Sequence, residues 1–154
     1  MPNIDTTDRL ILDELQADAR RSNKALAHAA GVSPSTMLAR VRSLEQRGVV
    51  LGYHAAVDPA AIGRPVQALV SVRLRPKTPD AVARFVDAVW ARPETVAVTM
   101  VTGPFDVLVH LSVPDVASLS EAVLSHIASD PAVVDEQTSL IFDHRRKTAI
   151  EPLP

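Results

Sequence analysis

Along the first third of the chain the apolar positions recur at helical spacing. A first helical pattern runs through Ile4, Asp8, Ile11, Leu12 and Leu15, with acids in its early turns where the positive end of the helix dipole favours them. Ser22, a good N-cap, opens a second helix carrying Leu26, Ala27 and Ala30, which stops at Gly31, the residue best suited to a left-handed C-cap. Two residues later Ser33 can cap a third helix. Pro34 fits its first position, where no amide donor is needed, and Met37, Val41 and Leu44 form an i, i+4, i+7 stripe that ends before Gly48. Two short helices joined by so tight a glycine turn must cross steeply, which is the pattern of a helix-turn-helix. The run Val49 to Val57 then reads as extended, and Asp58-Pro59 with Gly63 and Pro65 marks a linker.

Beyond the linker the period changes. Val66, Ala68, Val70, Val72 and Leu74 alternate with mostly polar neighbours and predict a strand. Thr78-Pro79 opens a helix with Val82, Phe85, Val86, Val89 and Trp90 on one face, so that Phe85 and Trp90 are expected in the core. Residues 95–101 and 105–113 read as strands, and Pro114-Asp115 opens a helix with Val116, Leu119, Val123, Leu124 and Ile127 aligned. Residues 133–142 supply a last strand. The order βαββαβ predicts a ferredoxin-like α+β sandwich with both helices on one sheet face. The other face would carry Leu69, Ser71, Arg73, Ala97, Thr99, Val101, Leu108 and His110. That set is too apolar for water and too polar for a monomer's core, which predicts that sheets from two copies pack together.

Composition narrows the setting. The 154 residues are 47% apolar and 22% charged, a balance that fits a folded chain rather than a disordered one. With no cysteine, disulfides and thiol catalysis are excluded, and five histidines without ligand spacing predict no metal site. No run approaches the roughly 18 apolar residues of a membrane span, and Met1-Pro2-Asn3-Ile4-Asp5 is unlike a signal peptide, so a cytoplasmic location with no membrane partner is expected. The net charge of −2 hides a segregation. Residues 20–47 hold six bases (Arg20, Arg21, Lys24, Arg40, Arg42, Arg47) against Glu45 alone, a local +5 suited to phosphates.

If Met37, Val41 and Leu44 face the core, then Ser35, Thr36, Leu38, Ala39, Arg40 and Ser43, behind the capping Ser33, lie toward double-stranded DNA. Small hydroxyls let the backbone approach the groove, Arg40 can pair with guanine edges, and Arg20, Lys24, Arg42 and Arg47 can take phosphates. The alternative is a plain three-helix bundle with a solvated basic face. The residues Asp5–Gly63 resemble the DNA-binding half of the Lrp/AsnC family of regulators. The likeness rests on Ile4, Asp5 and Asp8, on Asp18-Ala19-Arg20 before Ser22-Asn23, and on Gly31-Val32-Ser33-Pro34 leading into Arg40-Val41-Arg42-Ser43-Leu44-Glu45 and Gly48-Val49-Val50. Gly52-Tyr53 and Asp58-Pro59 follow. Ser43 departs from that pattern, since members commonly carry a basic residue there. The resemblance implies an N-terminal winged helix-turn-helix domain with a linker strand over residues 1–63. It implies a ferredoxin-like ligand-binding and oligomerisation domain over 64–154.

The same resemblance singles out Thr102-Gly103-Pro104-Phe105-Asp106 as the family's Gly-x-x-Asp turn, near which effectors sit between subunits. It implies an amino-acid effector and no other cofactor, with a weaker facing set of Asp135, Gln137, Thr138 and Ser139. Read from the residues alone, the turn is open to two readings. Asp106 and the exposed amides can serve an ammonium and a carboxylate, or Asp106 can merely bond to turn backbone. The expected protein is a DNA-binding regulator, not an enzyme, assembling as a dimer and on to a tetramer or octamer. Its rivals are an architectural DNA-binding protein without effector, and a small enzyme on the ferredoxin-like half hinted at only by His110 with Asp106. The run Arg145-Arg146-Lys147 reads as a solvated tail rather than a second DNA site.

Overall fold

Each of the three N-terminal helices begins where a short polar side chain can take a free amide. In the computed structural model, which describes residues 4–150, α1 (Thr6–Ala17) is capped by Asp5, α2 (Asn23–Ala30) by Ser22 and α3 (Pro34–Gln46) by Ser33, each side chain accepting from the amide three residues on. Gly31 ends α2 at φ 65°, a left-handed conformation that a Cβ would strain, and turns the chain into α3. Ile11, Leu26, Ala27, Met37 and Leu44 form the buried core of this unit. The extended run expected after α3 forms no strand among the described residues, because no neighbouring strand offers it a ladder. Its Tyr53 hydroxyl instead donates to Glu45 on α3 at 2.9 Å.

The rest of the fold is a four-stranded antiparallel sheet covered on one face by two helices. The elements are β1 (Val66–Leu74), α4 (Pro79–Trp90), β2 (Thr95–Met100), β3 (Val107–Val113), α5 (Val116–Val123) and β4 (Val133–Leu140). The strand order β2-β3-β1-β4 is that of the expected ferredoxin-like sandwich. A π-helical turn over Leu124–Ala128 continues α5. Ala68, Val70, Val72 and Leu74 from β1 meet Phe85 and Val89 from α4, Leu119 from α5 and Ile127 from its π-helical continuation, in one core. Trp90 departs from expectation: it is 61% exposed, because at about 100° per residue it lies a full step round the helix from Val89, past the edge of the buried stripe. Val116 and Leu124 are exposed as well.

The chain divides into two compact units. The first runs to Ala56 and takes in the segment from Arg145; the second spans Val57–His144. The expected boundary after Gly63 moves back because Pro59 accepts from Ile62 and Arg64 in a tight turn, and the Arg64 carbonyl accepts from Ser112 in β3. The tail moves to the first unit because Gln16 on α1 exchanges two hydrogen bonds with the Ile150 backbone. The outer ends of both expected domains, residues 1–3 and 151–154, lie outside the described residues, and with them the first three residues of the opening that is unlike a signal peptide. Among the described residues no helix is long and apolar enough to cross a membrane.

Candidate functional site

Two sites follow from these folds, one on each unit. On the first, the N-terminus of α3 is a network of small hydroxyls. The Ser33 Oγ accepts from the Thr36 amide at 3.1 Å and lies 2.9 Å from the Ser35 Oγ and 2.8 Å from the Thr36 Oγ1, while Asn23 Nδ2 donates to the Pro34 carbonyl and ties the start of α2 to the start of α3. Met37 and Leu44 are fully buried, so helical geometry turns Ser35, Ala39 and Arg42 outward, with Thr36, Leu38 and Ser43 beside them. Ser35, Thr36, Leu38, Ala39 and Arg42 are exposed, and Ser43 is half-buried. Gln46 falls on the same outward stripe, four residues beyond Arg42. The helical spacing carries that signal, although neither charge nor a family motif singles Gln46 out.

Arg40 does not join that face. Its Nη1 lies 2.6 Å from Asp5 Oδ2 and 2.9 Å from Asp8 Oδ1, so its guanidinium faces α1 and is occupied there rather than presented to base edges. Arg47 reaches the other oxygen of Asp8 at 3.5 Å, and the Asp8 side chain is only 7% exposed. The Asp8 amide and the Arg40 guanidinium together hold the Asp5 carboxyl below its ordinary value of 3.8. Arg21 is paired with Glu14 at 2.7 Å. Of the six bases in the segment, only Arg20, Lys24 and Arg42 are left without a carboxylate partner among the described residues. The basic patch is therefore half as large as the sequence count.

On the second unit, Gly103 takes φ 127°, which glycine tolerates and a side chain resists, and bends the chain between β2 and β3. Asp106 is engaged by its own fold. Its Oδ2 accepts from the Leu74 amide at 2.9 Å, its Oδ1 pairs with Lys77 at 2.5 Å, and Arg75 approaches at 3.7 Å. Burial opposes ionisation here, but the Lys77 ammonium, the Leu74 amide and Arg75 outweigh it and leave the Asp106 carboxyl below its ordinary value. Asp106 thus fixes the turn, with both of its oxygens already engaged by the chain itself.

Arg73, which the strand pattern places only on the open face, links the two expected effector sets. Its Nε donates to the Pro104 carbonyl at 2.9 Å, its guanidinium lies 5.6 Å from the Phe105 ring centre, and its Nη2 lies 3.4 Å from Asp135 Oδ2. Register pairs Arg73 with Asp135, Ser71 with Gln137 and Leu69 with Ser139, so these three β4 residues share the open face. Thr138 pairs with the buried Val70 and faces the other way, where it donates to Glu136. His110 is 3.0 Å from Gln67 Oε1, and Asp106 bonds elsewhere, so the pair hinted at for catalysis does not form. Burial and the neighbouring His144 hold His110 below its ordinary value of 6.5. Among the described residues no group of acids and histidines can hold a metal ion.

Residues 4–50 match a winged helix-turn-helix DNA-binding family, and residues 67–149 match the Lrp/AsnC ligand binding domain. The HTH-type transcriptional regulator AldR of Mycolicibacterium smegmatis is 38% identical over 144 residues, covering 94% of this chain and 84% of that protein. The leucine-responsive regulatory protein of Escherichia coli is 32% identical over 146 residues, covering 95% and 89%. Among solved structures, a transcriptional regulator from Neisseria meningitidis in complex with L-Met superposes with a TM-score of 0.87 at 32% identity, covering 97% of each chain.

Proposed function

The chain belongs to the Lrp/AsnC family of transcriptional regulators, and from that premise we propose that an amino-acid effector binds at the Arg73 end of the open sheet face, between paired copies. The observation that carries this reading is Arg73 itself. It brings the turn and Asp135 together, so one place offers a cation for a ligand carboxylate and a carboxylate for a ligand ammonium. The Arg73–Asp135 contact is loose and both side chains are over a third exposed, so an amino acid can insert and satisfy each group better than they satisfy one another. Thr102 and the Gly103 amide add donors for the carboxylate; Pro104 has none to give. Gln137 and Ser139 are next along the same face, while Asp106 and Phe105 hold the turn in place.

The N-terminal unit reads DNA through Ser35, Thr36, Leu38, Ala39, Arg42 and Ser43, with Arg20 and Lys24 on phosphates. Pairing of the open faces, which carry Leu69, Leu108 and Ala97, sets the distance between two reading helices, and an effector seated between copies changes that distance or the assembly size. The neighbouring regulator solved with L-Met supports an amino acid as the ligand class. A thermal-shift screen of the proteinogenic amino acids tests the reading, because stabilisation grows with ligand concentration over its dissociation constant. The expected result is stabilisation by a subset that is abolished in Asp135→Ala. No stabilisation by any of them, with an unchanged sedimentation profile, overturns the effector site and leaves an architectural DNA-binding protein.

A further inference from the structure

The basic run near the C-terminus has no part in either site, and although it is exposed it groups with the first unit rather than with the sheet. The chain from Arg145 belongs to the helix-turn-helix unit, and it is held there by a reciprocal pair of hydrogen bonds: Ile150 N donates to Gln16 Oε1 at 2.7 Å and Gln16 Nε2 donates to the Ile150 carbonyl at 3.2 Å. Gln16 sits in the last turn of α1, four residues before Arg20 and shortly ahead of the Ser22 cap of α2. In a helix-turn-helix the first of the two helices crosses the phosphate backbone, and its N-terminus attracts anions. Lys147 stands three residues before Ile150, so the chain keeps it within about 10 Å of the Gln16 anchor.

Arg146 and Lys147 are exposed, and among the described residues neither has a carboxylate partner. Of the acids beside Gln16, Glu14 on α1 pairs with Arg21, and Asp18, the C-cap of α1, keeps its charge and accepts from the Arg20 amide. Asp13 is exposed on that helix, where solvent screens its charge. We infer that Arg146 and Lys147 form a second phosphate-contact segment of the DNA interface, delivered to the start of α2 by the Gln16–Ile150 anchor. The segment reads no bases. It adds two free cations to the three that the helix-turn-helix retains.

The inference rests on DNA binding by the first unit, and one titration separates the two. Fluorescence anisotropy of the full chain is measured against salt on the DNA upstream of its own gene and on unrelated DNA. The comparison is between wild type, Arg146→Gln/Lys147→Gln and Gln16→Ala. In the double variant the slope of log affinity against log salt falls by about 0.9 for each phosphate that a bound chain no longer neutralises, equally on both DNAs, with the melting profile unchanged. Gln16→Ala, which removes no charge, weakens binding on both DNAs at constant melting behaviour of the sheet unit. A double variant with the wild-type slope overturns the segment, and a Gln16→Ala variant with wild-type affinity overturns its anchoring. A wild-type chain without salt-dependent affinity would instead refute DNA binding itself.

Discussion

Asp8 ties the reading helix to α1. It is only 5% exposed, within an otherwise apolar stripe of α1, and its two oxygens meet Arg40 at 2.9 Å and Arg47 at 3.5 Å, in the second half of α3 and at its C-cap. Asp8→Ala leaves two guanidinium groups facing an apolar gap. Truncating one partner of a fully buried pair costs about 3–5 kcal/mol. Here both arginine side chains are about a third exposed and Arg40 keeps Asp5, so water and the second acid offset part of that cost. It then falls to about 2 kcal/mol, in the range of hydrogen bonds to charged groups. For a unit of this size that lowers the melting temperature by about 8–16 °C. Differential scanning calorimetry of the full chain checks it, because the sheet unit supplies an internal reference: its transition stays in place while that of the helical unit drops. In a double-mutant cycle, Arg40→Gln in the Asp8→Ala background costs less than in wild type. A helical transition that moves by less than about 4 °C would refute the reasoning, since exposed ion pairs contribute at most about 1 kcal/mol, which corresponds to about 4–8 °C.

Two further predictions separate roles that the sequence runs together. Arg42→Ala weakens binding to the DNA upstream of the gene by about 1–3 kcal/mol if it pairs with a guanine, whereas Arg40→Ala destabilises the helical unit and leaves base preference unchanged; competition titrations on single-base operator variants read both. At Asp106 the native carboxyl lies below its ordinary value, so its stabilising contribution is complete above 3.8 and disappears as the pH falls through the lowered native value. Urea unfolding should therefore show Asp106→Asn less stable than wild type at neutral pH, with the gap closing in acid. A gap that widened in acid would reverse the assignment.

Most of the fold was legible because its signals are local. Ser22, Gly31, Ser33 and Pro34 act within four residues of their positions, and the change from period 3.6 to period 2 at Val66 needs no partner to be seen. The site was legible only in part, because its decisive contacts are distant in sequence. Arg40 meets Asp5 and Asp8 across 35 and 32 residues, and Asp106 meets Leu74 across 32, so nothing near either residue shows that it is occupied. Arg40 therefore passes for a base reader and Asp106 for a ligand group. Thr138 is a different case. Strand alternation sets it opposite Gln137 and Ser139, so period 2 alone is enough to remove it from the facing set. Trp90 falls at the margin of a helical stripe, where sequence gives the direction of a side chain but not the width of the layer above it.

The occupied arginines change what one copy can achieve. Three free cations limit a lone helix-turn-helix to a salt slope of about −2.7, and with Arg146 and Lys147 to about −4.5, well short of what a tightly held operator complex requires. On the proposed pairing of open faces, occupancy at physiological salt would depend on a second copy bound to the same DNA, where the effective concentration set by the connection replaces new contacts. This gives the sheet unit its leverage. If each reading helix bound tightly alone, an effector that altered the pairing of open faces would change little. Because Asp5, Asp8 and Glu14 withhold half of the segment's bases from DNA, an effector at the proposed Arg73 and Asp135 site would act, through assembly, on the term that decides whether DNA is bound.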